Sequence, residues 1–535
     1  MTRVKNLRRR TIEAQIRRES CLMDTDQRRI MLYASAVFVS SALLLVLEIV
    51  AARLIAPYVG VSLYTWSAVI GVVLAGLSAG NALGGAWADR RASAVSAGLV
   101  LMAAGLAALA IPWLLLLTAH RLQQHELSIL STSMLLVLAL FLLPAVLIGI
   151  VTPLLTTLAL AHSRRTGHIV GMMHALGATG SIIGTFAAAW WLIPTLGSRN
   201  VVLLSGVLLL LSGLALARPL TGRRHAIVTT VFLLAATGLA YSTLASPALA
   251  SPCDHESSYF CIRTIDEGEH PQLGQTRSMV LDHLLHGTNV ENDGTYLSAP
   301  YVQLMQELMC RHHHDKASLR AFFVGGGAYT QPRALWLADM PTAITVAELD
   351  PEVTRVAREE LFLDDSDMRI LHGDARTVLA RLPAEERFEI VVGDAFHDVS
   401  VPYHLVTREF AELLQRRLSD DGIYVLNLVD TYPQGLLARA LVKTLGGVFA
   451  HVEVWLQEVP ADPARVTYVI SASNRATELA ADPRLHAVRR PVRSWTRVTA
   501  QLADAYARAD VPILTDDNAP VEQLISSLFT SGIGR

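Results

Sequence analysis

The chain is predicted to form an α-helical transmembrane bundle of about seven helices, then a small β domain and an α/β Rossmann-like domain. Three observations predict this. Hydrophobic residues make up 52% of the 535 residues and charged ones only 17%, too apolar for an ordinary soluble protein of this length. Apolar stretches of membrane-spanning length follow one another from Ile30 to about Ser246. Between Ala321 and Asp394, four short β-branched runs each end abruptly in glycine or an acid, as buried parallel strands do where their carboxyl ends open into a ligand crevice.

The elements follow in order. Residues 1–29 carry nine lysines and arginines and no cleavage site, which suits a basic cytoplasmic tail, in contact with anionic lipid or simply solvated. The transmembrane region is bounded at 30–250, with spans near 30–52, 65–88, 94–119, 127–161, 168–194, 200–217 and 226–246. Pro144 and Pro153 predict a kink or an interfacial end in the fourth span. Gly76, Gly80 and Gly84, and again Gly177, Gly180 and Gly184, are spaced to let helices approach closely. Arg90 and Arg91, Arg164 and Arg165, and Arg218, Arg223 and Arg224 fall in alternate loops, a bias that keeps the N-terminus inside. With seven spans, everything after residue 246 then lies outside.

A second domain is bounded at 251–318, with hairpins over 255–300, a helix at 301–311 and then His312, His313 and His314. Three adjacent histidines cannot all face one metal on regular structure, so a polar connector is expected and no metal site. Cys253 and Cys261 could pair if their segment faces an oxidising compartment; two unrelated thiols are the alternative. From 319 to 535 strand and helix alternate to give about seven strands. A net charge of -2 gives no argument for a nucleic-acid partner, and none is expected.

The site residues are the strand tips. Gly325, Gly326 and Gly327 in AFFVGGGAYTQPRAL allow a tight turn and close backbone approach to a ligand. Glu348 in ITVAELDPEV ends the second strand about twenty residues on, where a carboxylate can accept both hydroxyls of a ribose. Asp374 in MRILHGDART ends the third strand and Asp394 in FEIVVGDAFHD the fourth. Glycines followed by one acid per strand tip make a nucleoside site.

From about His255 to Leu428 these residues resemble the spermidine synthases, polyamine aminopropyltransferases built on the class I S-adenosylmethionine-dependent methyltransferase fold. ESSYFCIRTI at Glu256 to Ile265 and LDHLLHGT at Leu281 to Thr288 are similar to the family's opening strand and hairpin. VGGGAYTQPR is similar to its glycine loop, VAELD to V-E-I-D, HGDA to G-D-G, and GDAFHD to the segment with the catalytic aspartate. The resemblance implies that Asp394 is the catalytic base with Tyr296 as helper. It implies nucleoside contacts from the three glycines, Glu348, Asp350, Asp374 and Ala375, and substrate contacts from His286 and from His397 or Asp398.

The departures lie on the amine side. The family's loop aspartate is Ala328, its hairpin glutamine is His286, and its Y-H-E is Tyr296, Leu297 and Ser298. The implied reaction moves an aminopropyl group from decarboxylated S-adenosylmethionine to a diamine such as putrescine, with no tightly bound cofactor. A methyltransferase using S-adenosylmethionine would keep the same glycines and Glu348, and a membrane protein that binds polyamine or nucleoside without turnover is a third reading. A donor, a diamine acceptor and membrane lipid are the expected partners, with a homodimer among the open assemblies. An outside catalytic domain conflicts with a donor made in the cytosol. The acidic ending ILTDDNAPVEQL, with Asp516, Asp517 and Glu522, has no assigned mechanism.

Overall fold

The computed structural model describes residues 2–123, 127–217, 223–338, 342–395, 401–477, 484–486, 493–498 and 510–530. It divides into two compact units: Met1–Ile55 with Trp66–His125 and Ser133–Ser251, and Ala56–Thr65 with Glu126–Thr132 and Pro252–Arg535.

The described part of the first unit is helical. Thr2–Val59 is one helix, so the basic segment runs directly into the first apolar stretch. Leu63–Arg91, the pair Ala94–Leu109 and Ile111–Gln123, Ile129–Ala161, Thr166–Ala187, Ser198–Ala217 and Arg223–Ala245 follow. Among the described residues, six helices are long and apolar enough to cross a membrane, or seven when the pair bent by 43° is one span. The break therefore falls in the third stretch. Pro144 and Pro153 both lie inside the continuous helix Ile129–Ala161, an arrangement apolar helices tolerate when neighbours supply the missing contacts.

The glycine patterns bring helices into backbone contact. A Cβ on Gly80 would collide with the Val146 carbonyl oxygen, and one on Gly184 with that of Ala42. Helices Ala94–Leu109 and Ser198–Ala217 cross in the same way, Gly98 against Gly213 and Gly105 against Gly206.

The second unit carries two sheets. Strands β1 (His255–Glu256), β2 (Cys261–His270), β3 (Gly274–Leu281) and β4 (Leu284–Val290) form an antiparallel sheet in that order. Helix Pro300–His312 leads to β5 (Leu319–Val324), β6 (Thr342–Glu348), β7 (Met368–His372), β8 (Phe388–Gly393), β9 (Leu418–Tyr432), β10 (His451–Leu456) and β11 (Ala464–Ser473), with short β12 (Arg484–His486) and β13 (Ser494–Arg497) after them. The nine-stranded order is β12-β13-β10-β11-β9-β8-β5-β6-β7. From β5 to β9 all pairings are parallel, whereas β11 inserts between β9 and β10 and runs antiparallel to both. The sequence reading of about seven strands misses β12 and β13, three- and four-residue strands too short for an apolar period to stand out. Because β5 pairs with both β6 and β8, the strand order reverses there, and the crevice at the carboxyl ends opens at that point.

Two local features bear on the expectations above. Cys253 and Cys261 form a disulfide. The histidine triplet ends helix Pro300–His312 and opens the connector to β5, with His312 and His313 buried and His314 exposed: His313 Nε2 pairs with the Glu389 carbonyl at 2.9 Å, and His312 bridges Thr477 Oγ1 at 2.8 Å and the Asp421 carbonyl at 3.0 Å.

Burial, then the charges of His313 and Arg475, push His312 down to about 4. The unfolded chain titrates near 6.5 and so binds this proton first on acidification. Stability contributed by neutral His312 is present above pH 6.5 and is lost as pH falls towards 4. Thermal melts of the full-length protein should show a gap between wild type and His312→Gln that narrows across this window; a pH-independent gap would refute the assignment.

Candidate active site

The crevice is built where β5 and β8 run side by side. Gly325 follows β5 at φ +93, and a Cβ there would lie 2.7 Å from the Asp394 carbonyl oxygen. Asp394 N donates to the Val324 carbonyl at 3.2 Å, so the acid at the tip of β8 is fixed against the glycine loop. The loop itself rests on Tyr329, whose ring would meet a Cβ on Gly326 at 2.5 Å. Its hydroxyl contacts Thr354 Oγ1 at 2.7 Å, which in turn meets His372 Nε2 at 3.1 Å.

Two adjoining cavities share Gly325, His286 and Asp394. The first is lined by Gly327, Glu348, Asp374, Ala375 and His404 among others. The second is lined by Gly326, Tyr301, Ser298, Thr330 and Gln331. Glu348 is buried: Oε2 accepts from Gly326 N at 2.7 Å and Gly327 N at 3.3 Å, and Oε1 from Asp350 N at 2.9 Å. Burial pushes its carboxyl up, and these backbone donors partly offset that.

Asp394 is held differently. Burial pushes it up to about 6, and the opposing effect comes from the Asn427 side chain of β9, which donates to it. Asn427 is itself buried, with Oδ1 unpartnered, so its amide has one orientation that serves the acid. A carboxyl poised near 6 is suited to accept a proton at neutral pH. Tyr301 faces the same space, its hydroxyl pushed well above the ordinary value by burial and by Asp394; it stays protonated and can donate.

The remaining expected residues divide. Asp374 lines the first cavity, caps helix Ala375–Arg381 through Thr377 N at 2.8 Å, and accepts from His404 Nε2 at 2.6 Å. Burial pushes it up, but the bonds from His404 and Thr377 outweigh this and hold it below the usual range. Asp350 is absent from both cavity linings: it caps helix Pro351–Glu360 and receives Ser257 Oγ from the turn between β1 and β2. Tyr296 also lines neither cavity, and the tyrosine beside Asp394 is Tyr301. His397 and Asp398 lie outside the described residues. Ala328 is buried, with its Cβ side against Gly287 of the β3–β4 hairpin. Gln331, three residues on, lines the second cavity with both amide atoms buried and unpartnered.

Residues 303–481 match the spermine/spermidine synthase domain. This part of the chain is spermidine synthase-like. The chain is 25% identical over 218 residues to a probable polyamine aminopropyl transferase of Bifidobacterium longum, covering 38% of this chain and 48% of that protein. It is 27% identical over 320 residues to a polyamine aminopropyltransferase of Corynebacterium efficiens, covering 54% of this chain and 57% of that protein. The chain thus spans about half the length of these curated relatives. A solved probable spermidine synthase from Corynebacterium glutamicum aligns at 20% identity and TM-score 0.42, over 50% of this chain and 97% of that one.

Tyr301, Asn427, His404 and Tyr329 escaped the sequence reading. None sits at a strand tip with a recognisable spacing, and only the folded hairpin and sheet bring them to the crevice. Replacing Glu348 by Gln should weaken nucleoside binding by about 1.5–3 kcal/mol, the range for a hydrogen bond to a charged group. Calorimetry with methylthioadenosine checks this, and unchanged affinity in a folded variant would remove Glu348 from the site.

Proposed function

We propose that the protein is a membrane-embedded aminopropyltransferase. It moves the aminopropyl group of decarboxylated S-adenosylmethionine to a diamine such as putrescine, giving spermidine and methylthioadenosine. The observation that carries this is Asp394, a carboxyl pushed up to about 6 at the strand-order reversal, beside the glycine loop. In this reading Gly325, Gly326, Gly327, Glu348, Asp374 and Ala375 hold the nucleoside, and His286 and Tyr301 flank the reacting groups.

The chemistry follows from charge. A free alkylamine has a pKa near 10 and must lose a proton before it can attack. Enclosure disfavours both the ammonium and the carboxylate, drawing their pKa values together and easing transfer to Asp394. The neutral nitrogen then bonds to the carbon beside the sulfonium. The carbon–sulfur pair goes to sulfur, which leaves as a neutral thioether. Tyr301 and Asn427 keep the carboxylate oriented while the two substrates are held in line.

Methyl transfer from S-adenosylmethionine is the second reading, and Ala328 favours it: a buried methyl replaces the acid expected to hold the donor amine. Under this alternative Asp394 serves the same nucleophile, and the carbon attacked is the methyl.

The domain boundaries follow the same reading, with a transmembrane region up to about 250, a β domain at 251–318 and the Rossmann-like domain from 319. Three observations support an outside placement. The basic N-terminal segment favours the inside. Residues 56–65 and 127–132, which follow the first and third apolar stretches, fall in the same unit as the C-terminal domain; loops after odd-numbered spans share a side with a domain that follows an odd number of spans. Seven spans, with the bent pair as one, meet that requirement. The Cys253–Cys261 disulfide suits an oxidising compartment.

Two experiments test the proposal. With product followed from both donors, Asp394→Asn should lower turnover by a factor of about 100 to 10,000 while methylthioadenosine binding persists. The wild-type rate should fall as pH drops below about 6, where Asp394 takes up its proton, and the variant's residual rate should lose that limb. A variant that keeps most of the wild-type rate would make Asp394 structural. Separately, a reporter active only outside the membrane, fused after Ser251, should be active; a silent reporter beside a working cytoplasmic one would reverse the topology.

A further inference from the structure

The acidic ending of the chain contacts the wall of the nucleoside cavity. Asp516 Oδ1 accepts from Arg376 Nη1 at 2.7 Å and from Thr407 Oγ1 at 2.8 Å, and Oδ2 accepts from Arg376 Nη2 at 2.6 Å. Arg376 Nη1 also donates to the backbone carbonyl of His404 at 3.0 Å. His404 Nε2 in turn donates to Asp374 Oδ2 at 2.6 Å, and both His404 and Asp374 line the cavity. Backbone contacts fasten the same stretch: Arg408 N donates to the Leu514 carbonyl at 2.8 Å, and Asp516 N to Glu409 Oε2 at 3.0 Å.

We infer that Asp516 is a positioning residue for the nucleoside site, acting through Arg376 and Thr407 to hold the segment from Pro402 to Thr407 as a fixed wall over the ligand. The inference rests on the nucleoside reading of that cavity. An ion pair between exposed side chains contributes little by itself, but this one is bidentate, has a third donor in Thr407, and spans 140 residues of chain. Its partners do other work as well. Thr407 caps helix Arg408–Arg417, and Arg376 fixes the carbonyl of the residue whose imidazole reaches Asp374. A nucleobase entering beside Asp374 can displace the His404 imidazole. The backbone carrying that imidazole stays in place because Arg376 grips it from behind. Without Asp516, Arg376 loses both carboxylate bonds and the wall loses its clasp, so each binding event must order it afresh.

The test uses full-length protein in detergent and methylthioadenosine as the probe. Asp516→Ala should raise its Kd about tenfold, a change of 1.4 kcal/mol, while the fall in rate below about pH 6 assigned to Asp394 stays where it is. Arg376→Ala should raise Kd similarly, and the double variant should be no worse than either single one, because both remove the same clasp. Hydrogen exchange at 402–407 should quicken in each. Asp365→Ala, which breaks the exposed Arg358–Asp365 pair away from both cavities, should leave Kd unchanged. Should Asp516→Ala fail to fold, the isosteric Asp516→Asn carries the same expectation with a smaller change. A Kd within about twofold of wild type in a folded Asp516 variant, or additive effects in the double variant, would overturn the inference and leave the nucleoside reading standing. Wild type that does not bind methylthioadenosine would overturn both.

Discussion

The contact between Gly325 and Asp394 is the constraint on which the rest of the site depends. Two neighbouring parallel strands end there, and the first turns so tightly that no Cβ fits against the carbonyl of the second. This places the glycine loop and the acid in one another's van der Waals shell. A ligand lying on the loop must therefore also lie against Asp394. Any side chain at 325 would separate them, because φ +93 is strained for other residues and the obstacle is backbone that cannot swing aside.

The two acids at this point have different surroundings. Glu348 receives three backbone donors, from residues on either side of the crevice. It is therefore part of the loop's own structure as well as a surface for a ligand, and a ligand hydroxyl has to use the lone pairs left over. Asp394 has one side-chain donor, Asn427. With fewer hydrogen bonds to its charged form, its protonation state is the more easily changed of the two, which is the property a proton acceptor needs.

Legibility followed the range of the interactions. The apolar stretches, the strand tips and the order of glycine and acids are local patterns, and all reappear in the helices, in β5 to β8 and in the cavity linings. Span boundaries erred over which proline interrupts a helix: the break appears at Ala110, two residues before Pro112, and not at Pro144 or Pro153. Asp350 matched a motif but serves a helix cap and Ser257, because a carboxylate one residue past Leu349 turns towards the helix it precedes. Tyr301 lines the second cavity and Tyr296 does not, for a similar reason. Helix Pro300–His312 starts just after residue 299, so the later tyrosine is carried to the crevice by the helix while the earlier one stays in the connecting turn.

The acidic ending shows the same limit from the other side. Read alone, TDDNAP is a turn with spare charge. The structure gives the two aspartates unlike environments: Asp516 is tied to Arg376 and Thr407, while the neighbouring turn closes on itself through Thr515 and Asn518, each donating to the other's carbonyl at 3.1 and 3.0 Å. That small bridge fixes the direction in which Asp516 leaves the turn. Arg376 in turn follows directly on the cap and first residue of its helix, Asp374 and Ala375, both of which line the cavity. A side chain two positions after the cap lies about 200° around a helix of 3.6 residues per turn from it, so Arg376 can reach back to the chain's end while Asp374 keeps its face to the ligand.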